Sequence, residues 1–476
     1  MDTIKETKAV DPINVAAGGF RSDVTDLVVK GIGLDAVMKR GYNSRDKSTG
    51  IMGRGWTFSY ESRIRRKIGS NDEITVLYPD GHVVPFKKTD GVWKNETFKN
   101  HGDILVENEN SIEEKYELIL KKKTTYVYSE KGNLTKIKDR NGNTILIKYD
   151  DNDNIKSMTA PGGSRIIFSF ENGKITEINA GEGRTSRYKY EGDNLKEVYF
   201  PNGGILTYNI KDNLIESIED QNSNVYVKNE YDKFGRVIRQ QDKNGNITDI
   251  TYDKDKKETV ISYENSTRKD IYRYNSENVV TDEIYEDGTR KSKTYDIYQN
   301  KLSETDRKGN TTKFKYDKKG NLIKVEYPNG YAVFKEYDEN DNIVKVSNSS
   351  GKEVSYKYDE RGNILEETAL WKGEEVSTWK FEYDGCGRIL RKEDPEGNVS
   401  EFEYNGEYCL DSPSLMKDPE GNEFYFIYDE NGRNILAQSK KGKLEIGWNN
   451  LNKISFVRDE DDVKVSFVHD FMGNLI

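Results

Sequence analysis

Apolar and polar residues alternate along most of the chain with a period of two. In TTKFKY (Thr311–Tyr316), Phe314 and Tyr316 fall on one face and Lys313 and Lys315 on the other. After a five-residue interruption, LIKVEY (Leu322–Tyr327) resumes the pattern, with Ile323, Val325 and Tyr327 opposite Lys324 and Glu326. This periodicity predicts strands with one apolar and one ionic face.

The interruptions recur with almost the same letters: YDKKGNL at 316–322, YDENDNI at 337–343 and YDERGNI at 358–364. From Tyr128 to His469 there are seventeen such corners, at a step of about 21 residues, a period that signals a repeat architecture. Fourteen of the seventeen first positions are Tyr and fourteen of the second are Asp or Asn. The letters suit a hairpin turn. Asp317 stands at the first position of a type I turn, where its carboxylate accepts a backbone N–H two residues on, and Gly320 stands where the loop needs positive φ. The same roles fall to Tyr231, Asp232 and Gly235, to Tyr358, Asp359 and Gly362, and to Tyr383, Asp384 and Gly387. Where this position lacks Gly it is often Asp or Asn, as at Asp153, Asp212, Asp255, Asp341 and Asn452, the residue types that best tolerate the left-handed region. A second turn closes each unit, as in DRNGN (139–143) and DPEGN (394–398).

Thus the expected fold is all-β, an array of antiparallel hairpins over 128–476, preceded by an opening segment (1–66) and a transitional β region (67–127). About 34 strands at roughly 4.8 Å give a ribbon on the order of 160 Å, too long to stay flat. Rolled up, it would form a curved or spiralling single-layer shell, roughly 50 Å across, around a space that side chains cannot fill. Composition agrees with a thin wall. Only 34% of residues are apolar and 33% are charged, while 11% aromatic residues and a net charge of −10 argue against disorder.

The repeat Y-D-x-x-G-[NR]-[LIV] resembles the YD repeat of bacterial Rhs proteins, the wall-associated protein family, toxin-complex B and C components and teneurins. DPINVAAGGFRSDVTDLVV (11–29) and RGYNSRDKSTGIMGRGWTFSYESRI (40–64) are similar to the opening segment of Rhs polymorphic toxins. The resemblance implies a shell that wraps and helps deliver a toxin in competition between bacteria. It implies a secreted or cell-surface location, and as partners a C-terminal toxin domain or the remaining shell segment. In it, Trp56 and Phe58 belong to a cap that plugs or seals the first turn of the wall. A segment associated with self-cleavage in the family finds no match, because Asp394-Pro395 and Asp418-Pro419 belong to repeat turns. The chain ends at HDFMGNLI, inside a unit, and reads as a truncated or split product. Displayed outside the cell, the same repeats offer a second reading, an adhesion module for cell-surface glycans.

Candidate chemistry adds little. His82, His101 and His469 are scattered and no nucleophile motif accompanies them, so the chain is read as non-catalytic, without metal or cofactor. YDDNDNI (149–155), DENDN (338–342) and DEDD (459–462) resemble calcium loops, but the first two lack the Gly and Glu an EF-hand places at its sixth and twelfth positions. GIMGRGWTF (50–58) lacks the Lys-Ser/Thr of a phosphate loop. Mixed charge leaves no basic footprint for nucleic acid, no run suits a membrane helix, and the first residues do not form a signal peptide. Cys386 and Cys409 occupy hairpin tips one repeat apart, about 10 Å, and are read as free thiols.

Overall fold

The computed structural model describes the chain except residues 1–12, 96–101, 122, 182, 407, 409, 450–452, 470–474 and 476. Cys409, His101, Asn452 and most of the last corner therefore lie outside the described residues; Cys386 is a free thiol. Among the described residues there is no helix, and thus none long and apolar enough to cross a membrane.

Of the 44 strands among the described residues, the first five form two small sheets. β1 (Arg21–Val29), β2 (Ala36–Asn43) and β5 (Trp56–Phe58) make one, and β3 (Thr49–Gly50) and β4 (Gly53–Arg54) the other. The remaining 39 form one antiparallel sheet in which successive strands pair in sequence order, from β6 (Arg63–Arg66) to Lys464–Ser466. Its strands between 73 and 128 belong to this same wall, so the transitional region is part of it. The sheet closes on itself through an antiparallel bridge between Arg63 and Asn133.

Beyond this closure the wall returns over its own turns. Lys121 Nζ donates to the Lys319 carbonyl, Asn141 and Asn363 exchange amide hydrogen bonds, and Asn143 Nδ2 donates to the Cys386 carbonyl. These partners are 198, 222 and 243 residues apart, so one revolution takes roughly ten hairpin units. We call the wall up to residue 280 the lower coil and the rest the upper coil.

The lower coil is not a hollow ring, which corrects the expectation of an unfilled space. Residues 13–60 run inside it as a plug, and a continuous buried core extends from Ile13 to Val280. Backbone segments, rather than wall side chains alone, occupy the width. Above Val280, Ala332 is the one hydrophobic residue buried among those described, and the aromatic face is half-exposed. The contrast has a simple cause: a sheet buries a face only where something packs on it.

Candidate functional site

Each repeat turn works as a small hydrogen-bonded unit. Asp317 Oδ1 accepts the N–H groups of Lys319 and Asn321 at 2.9 and 2.8 Å, and the Gly320 N–H donates to the Asp317 carbonyl. Gly320 has φ +77°, and Gly235, Gly362 and Gly387 lie at +75°, +88° and +85°. Gly fits there because a Cβ crowds the carbonyl in the left-handed region. Partial burial pushes Asp232, Asp359 and Asp384 up, but N–H donors from their own turns outweigh it and hold these carboxyls below the usual range. The calcium-like loops are built alike: Asp150 and Asp338 spend Oδ1 on two loop N–H groups and Oδ2 on an Asn side chain.

Two of the expected turns differ. At Asp255 the positive φ belongs to Lys257 (+52°), because Tyr252–Asp253 pair with Glu258–Thr259 without a register shift and lengthen the loop. Asp212 is left-handed, but with Asn213 it forms a two-residue loop between Lys211 and Leu214, both at positive φ as a type I′ hairpin requires.

Two contributions escaped the sequence reading. The residue after the repeat Gly closes the ring onto Asp Oδ2: Asn321 at 3.1 Å, Asn363 at 2.8 Å, and Arg236 and Arg388 through Nε at 2.7 Å. The arginines then stack on the next unit's aromatic ring, Arg236 on Tyr252 at 4.6 Å and Arg388 on Tyr404 at 4.3 Å. The [NR] of the repeat carried this signal. The repeat Tyr is also more than an apolar stripe. Tyr231, Tyr316 and Tyr358 donate their hydroxyls to the carbonyls of Ile215, Lys301 and Ile343, stitching each hairpin to the one before it.

The plug docks on the aromatic face. Trp56 packs between Tyr42 (5.2 Å) and the wall's Tyr208 (5.3 Å), and Phe58 meets the wall's Phe168 edge-on at 6.1 Å. Around them lies a buried polar cluster with no warning in the repeat pattern. Arg40 Nε bonds both Asp26 oxygens at 3.0 and 2.9 Å, its Nη1 donates to Tyr208 Oη at 2.7 Å, and Tyr188 donates to Asp26 at 2.8 Å. Arg40 and Asp26 are fully enclosed. Burial pushes Asp26 up against the opposing pull of Arg40 and Tyr188.

The plug also follows the lower rim turn by turn. The Ile175 N–H donates to Ile51, Arg54 to Asp193 and Val237 to Gly18. Ser44 Oγ donates to the Gly235 carbonyl at 3.2 Å and Arg45 to that of Phe234. The twelve repeat residues singled out in the sequence therefore divide. The 231–235 turn meets the plug, whereas the 316–320, 358–362 and 383–387 turns sit on the seam between coils, where a Cβ on Gly387 would overlap Asn141.

In the open upper coil, Phe314, Tyr327 and Tyr331 line a depression of about 680 Å³ with Asp306, Asn310 and Asn329. Among the described residues no cluster of His, Cys, Asp and Glu has metal-holding geometry.

Two family descriptions match the sequence. Residues 10–86 match a domain of unknown function (DUF6531), and residues 97–284 and 271–446 match the Teneurin YD-shell. No curated protein matches. Similar solved structures include TcdB2-TccC3-TEV, at 9% identity over 92% of this chain and 31% of that one, with a TM-score of 0.43. TcdB2-TccC3 without its hypervariable C-terminal region is 9% identical over 98% and 33%, also at 0.43. The Photorhabdus luminescens Tc holotoxin pore is 10% identical over 94% and 29%, again at 0.43. The chain spans about a third of the length of these structures.

Proposed function

Because this chain belongs to the Teneurin YD-shell family, we propose that it is the leading, non-catalytic part of a shell that encloses a toxin and helps deliver it in competition between bacteria. The observation that carries this reading is the contrast between the coils. The N-terminal segment stoppers the lower coil, while the upper coil keeps the same aromatic face open toward the interior. A wall sealed at one end and open at the other is suited to holding another polypeptide. The partner is then a C-terminal toxin domain or a further shell segment, and the working location is secreted or cell-surface.

The test is co-expression of the chain with the polypeptide encoded directly downstream, followed by electron microscopy and limited proteolysis. Density inside the upper coil and protection of the partner from protease are the expected outcome. An empty wall beside a freely digested partner would sink the reading.

One observation supports a second reading, a glycan-binding surface. Tyr327 and Tyr331 hold their rings 5.8 Å apart beside the polar Asp306, Asn310 and Asn329, a combination that suits sugar rings. A glycan array on the purified chain decides it, and hits lost in Tyr327→Ala and Tyr331→Ala are the supporting result.

A further inference from the structure

The loop between β1 and β2, Lys30–Asp35, joins three parts of the molecule that are distant in sequence. Toward the lower coil, its Ile32 N–H donates to the Pro161 carbonyl at 3.0 Å. Gly33, at φ +70°, lies so close to Asp139 and Asn143 that a Cβ would overlap both side chains. Toward the upper coil, the Gly33 N–H donates to both carboxylate oxygens of Asp411 at 2.8 and 2.9 Å, across 378 residues of sequence.

Asp411 reaches this place because a longer connection between the strands Val399–Glu403 and Leu415–Lys417 replaces one repeat turn. The neighbouring Leu410 fills the space between Gly162 of the lower coil and Gly432 of the upper, both too close to it to carry a Cβ, and Arg388 Nη1 fixes the Leu410 carbonyl at 2.8 Å. The irregular unit is thus shaped to the plug loop, not a lapse in the repeat.

Elsewhere the seam is slight. It consists of isolated side-chain contacts such as the Lys121–Lys319 bond and the paired amides of Asn141 and Asn363, whereas neighbouring strands share whole ladders. Rupture of the wall therefore starts between coils rather than between strands.

We propose that Gly33 and Asp411 form a releasable clasp, through which the plug holds the upper coil seated on the lower one. When the clasp opens, the seam opens while each coil stays folded. Charge placement makes it pH-sensitive. Asp35 and Asp139 face Asp411 with like charge, while Arg388 and Lys30 lie on the other side of the balance, Lys30 paired to Asp35 at 2.6 Å. Burial pushes the Asp411 carboxyl up, Asp35 and Asp139 add to that, and the Gly33 N–H and Arg388 oppose it. A carboxyl raised in the closed state binds its proton more tightly there, so the clasp is firmest in acid and weakens as pH rises through its titration.

Hydrogen exchange on the full chain tests this. In Asp411→Ala at pH 7, amides of the 384–388 and 429–433 turns should exchange at least tenfold faster than in the wild type, with the 232–237 rim unchanged. In Asp411→Asn, which keeps the shape and one acceptor oxygen, seam protection should no longer fall as pH rises from about 4, the ordinary carboxylate range, toward neutrality once intrinsic exchange is subtracted. Gly33→Ala should reproduce the Asp411→Ala pattern. Wild-type seam protection in Asp411→Ala, or equal loosening of rim and seam, would overturn the clasp; identical pH profiles for wild type and Asp411→Asn would overturn its titration.

Discussion

The lower and upper coils are written in the same repeat, yet one has a core and the other does not. Tyr208 and Tyr356 occupy equivalent strand positions, each two residues before the bulge at its corner. Tyr208 is fully buried against Arg40 and Trp56, whereas Tyr356 stays half-exposed on an uncovered face. The repeat therefore specifies a wall, and burial is conferred by what the wall encloses. Stability of the ladder and occupancy of the interior are separate properties.

Substitutions placed in both coils sharpen the distinction. Arg40→Met leaves Asp26 enclosed and unpaired and should cost about 3–5 kcal/mol, with Arg40→Met/Asp26→Leu recovering much of the loss. Arg391→Met, which removes a half-exposed partner of Glu382 and Glu393, should cost under about 1 kcal/mol. Trp56→Ala follows the same logic: a cavity beside Tyr42 and Tyr208 should cost about 3–5 kcal/mol, well above Trp379→Ala on the open face. Urea denaturation measures both contrasts, and equal losses in the two coils would break the comparison.

The two coils should also respond oppositely to pH. Burial pushes the Glu61 carboxyl up to about 7, against the Ile51 N–H, while the Asn398 side chain and backbone N–H hold Asp394 in the upper coil below the usual range. Ionising Glu61 in the fold therefore carries a penalty that grows from about pH 4.5 to pH 7 and stays constant above. Glu61→Gln should stabilise the chain at pH 8 by no more than about 3 kcal/mol and do nothing at pH 4. Asp394 works the other way, since its contribution is present above about pH 4 and fades below. A stability profile of Glu61→Gln parallel to the wild type would refute the assignment.

Seam and open turns separate next. Gly397→Ala, in an open turn where nothing lies within reach of an added Cβ, forces that Cβ into the left-handed region for about 1–2 kcal/mol. Gly387→Ala meets Asn141 as well, so its loss should be larger and should shrink when Asn141→Ala removes the obstacle. Additive losses in that double variant would mean the seam contact does not form.

Strand positions and turn chemistry were legible because each depends on residues a few places apart. Asp317, Gly320 and their equivalents needed nothing beyond the local sequence. The Asn and Arg that close the turn were visible too, but they were read as a motif letter rather than as a donor. Arg40–Asp26 was not legible: its wall partners Tyr188 and Tyr208 are more than a hundred residues away, and nothing in a repeat alignment ties them to the plug. The seam fails for the same reason, since Asn141 and Asn363 are neighbours only after a full revolution of the wall. Filling of the lower coil was missed because apolar content was averaged over both coils, while the core it builds stops at Val280.

The smallest effect isolates water access from the repeat itself. Tyr231 and Tyr316 make the same bond, from Oη to the carbonyl of the preceding hairpin at 2.7 and 3.1 Å. Burial pushes both hydroxyls up, with Tyr231 by far the more deeply enclosed, beneath the plug. Tyr231→Phe leaves the Ile215 carbonyl with the long Asn229 Nδ2 contact at 3.5 Å as its remaining side-chain donor, so about 1–2 kcal/mol should be lost. After Tyr316→Phe, water can reach the Lys301 carbonyl from the open interior and replace the hydroxyl, leaving a loss below about 1 kcal/mol. If filling the upper coil with a partner raises the cost of Tyr316→Phe toward that of Tyr231→Phe, then burial is set by the contents of the wall. If the cost stays small with the interior occupied, the two coils differ in their own packing.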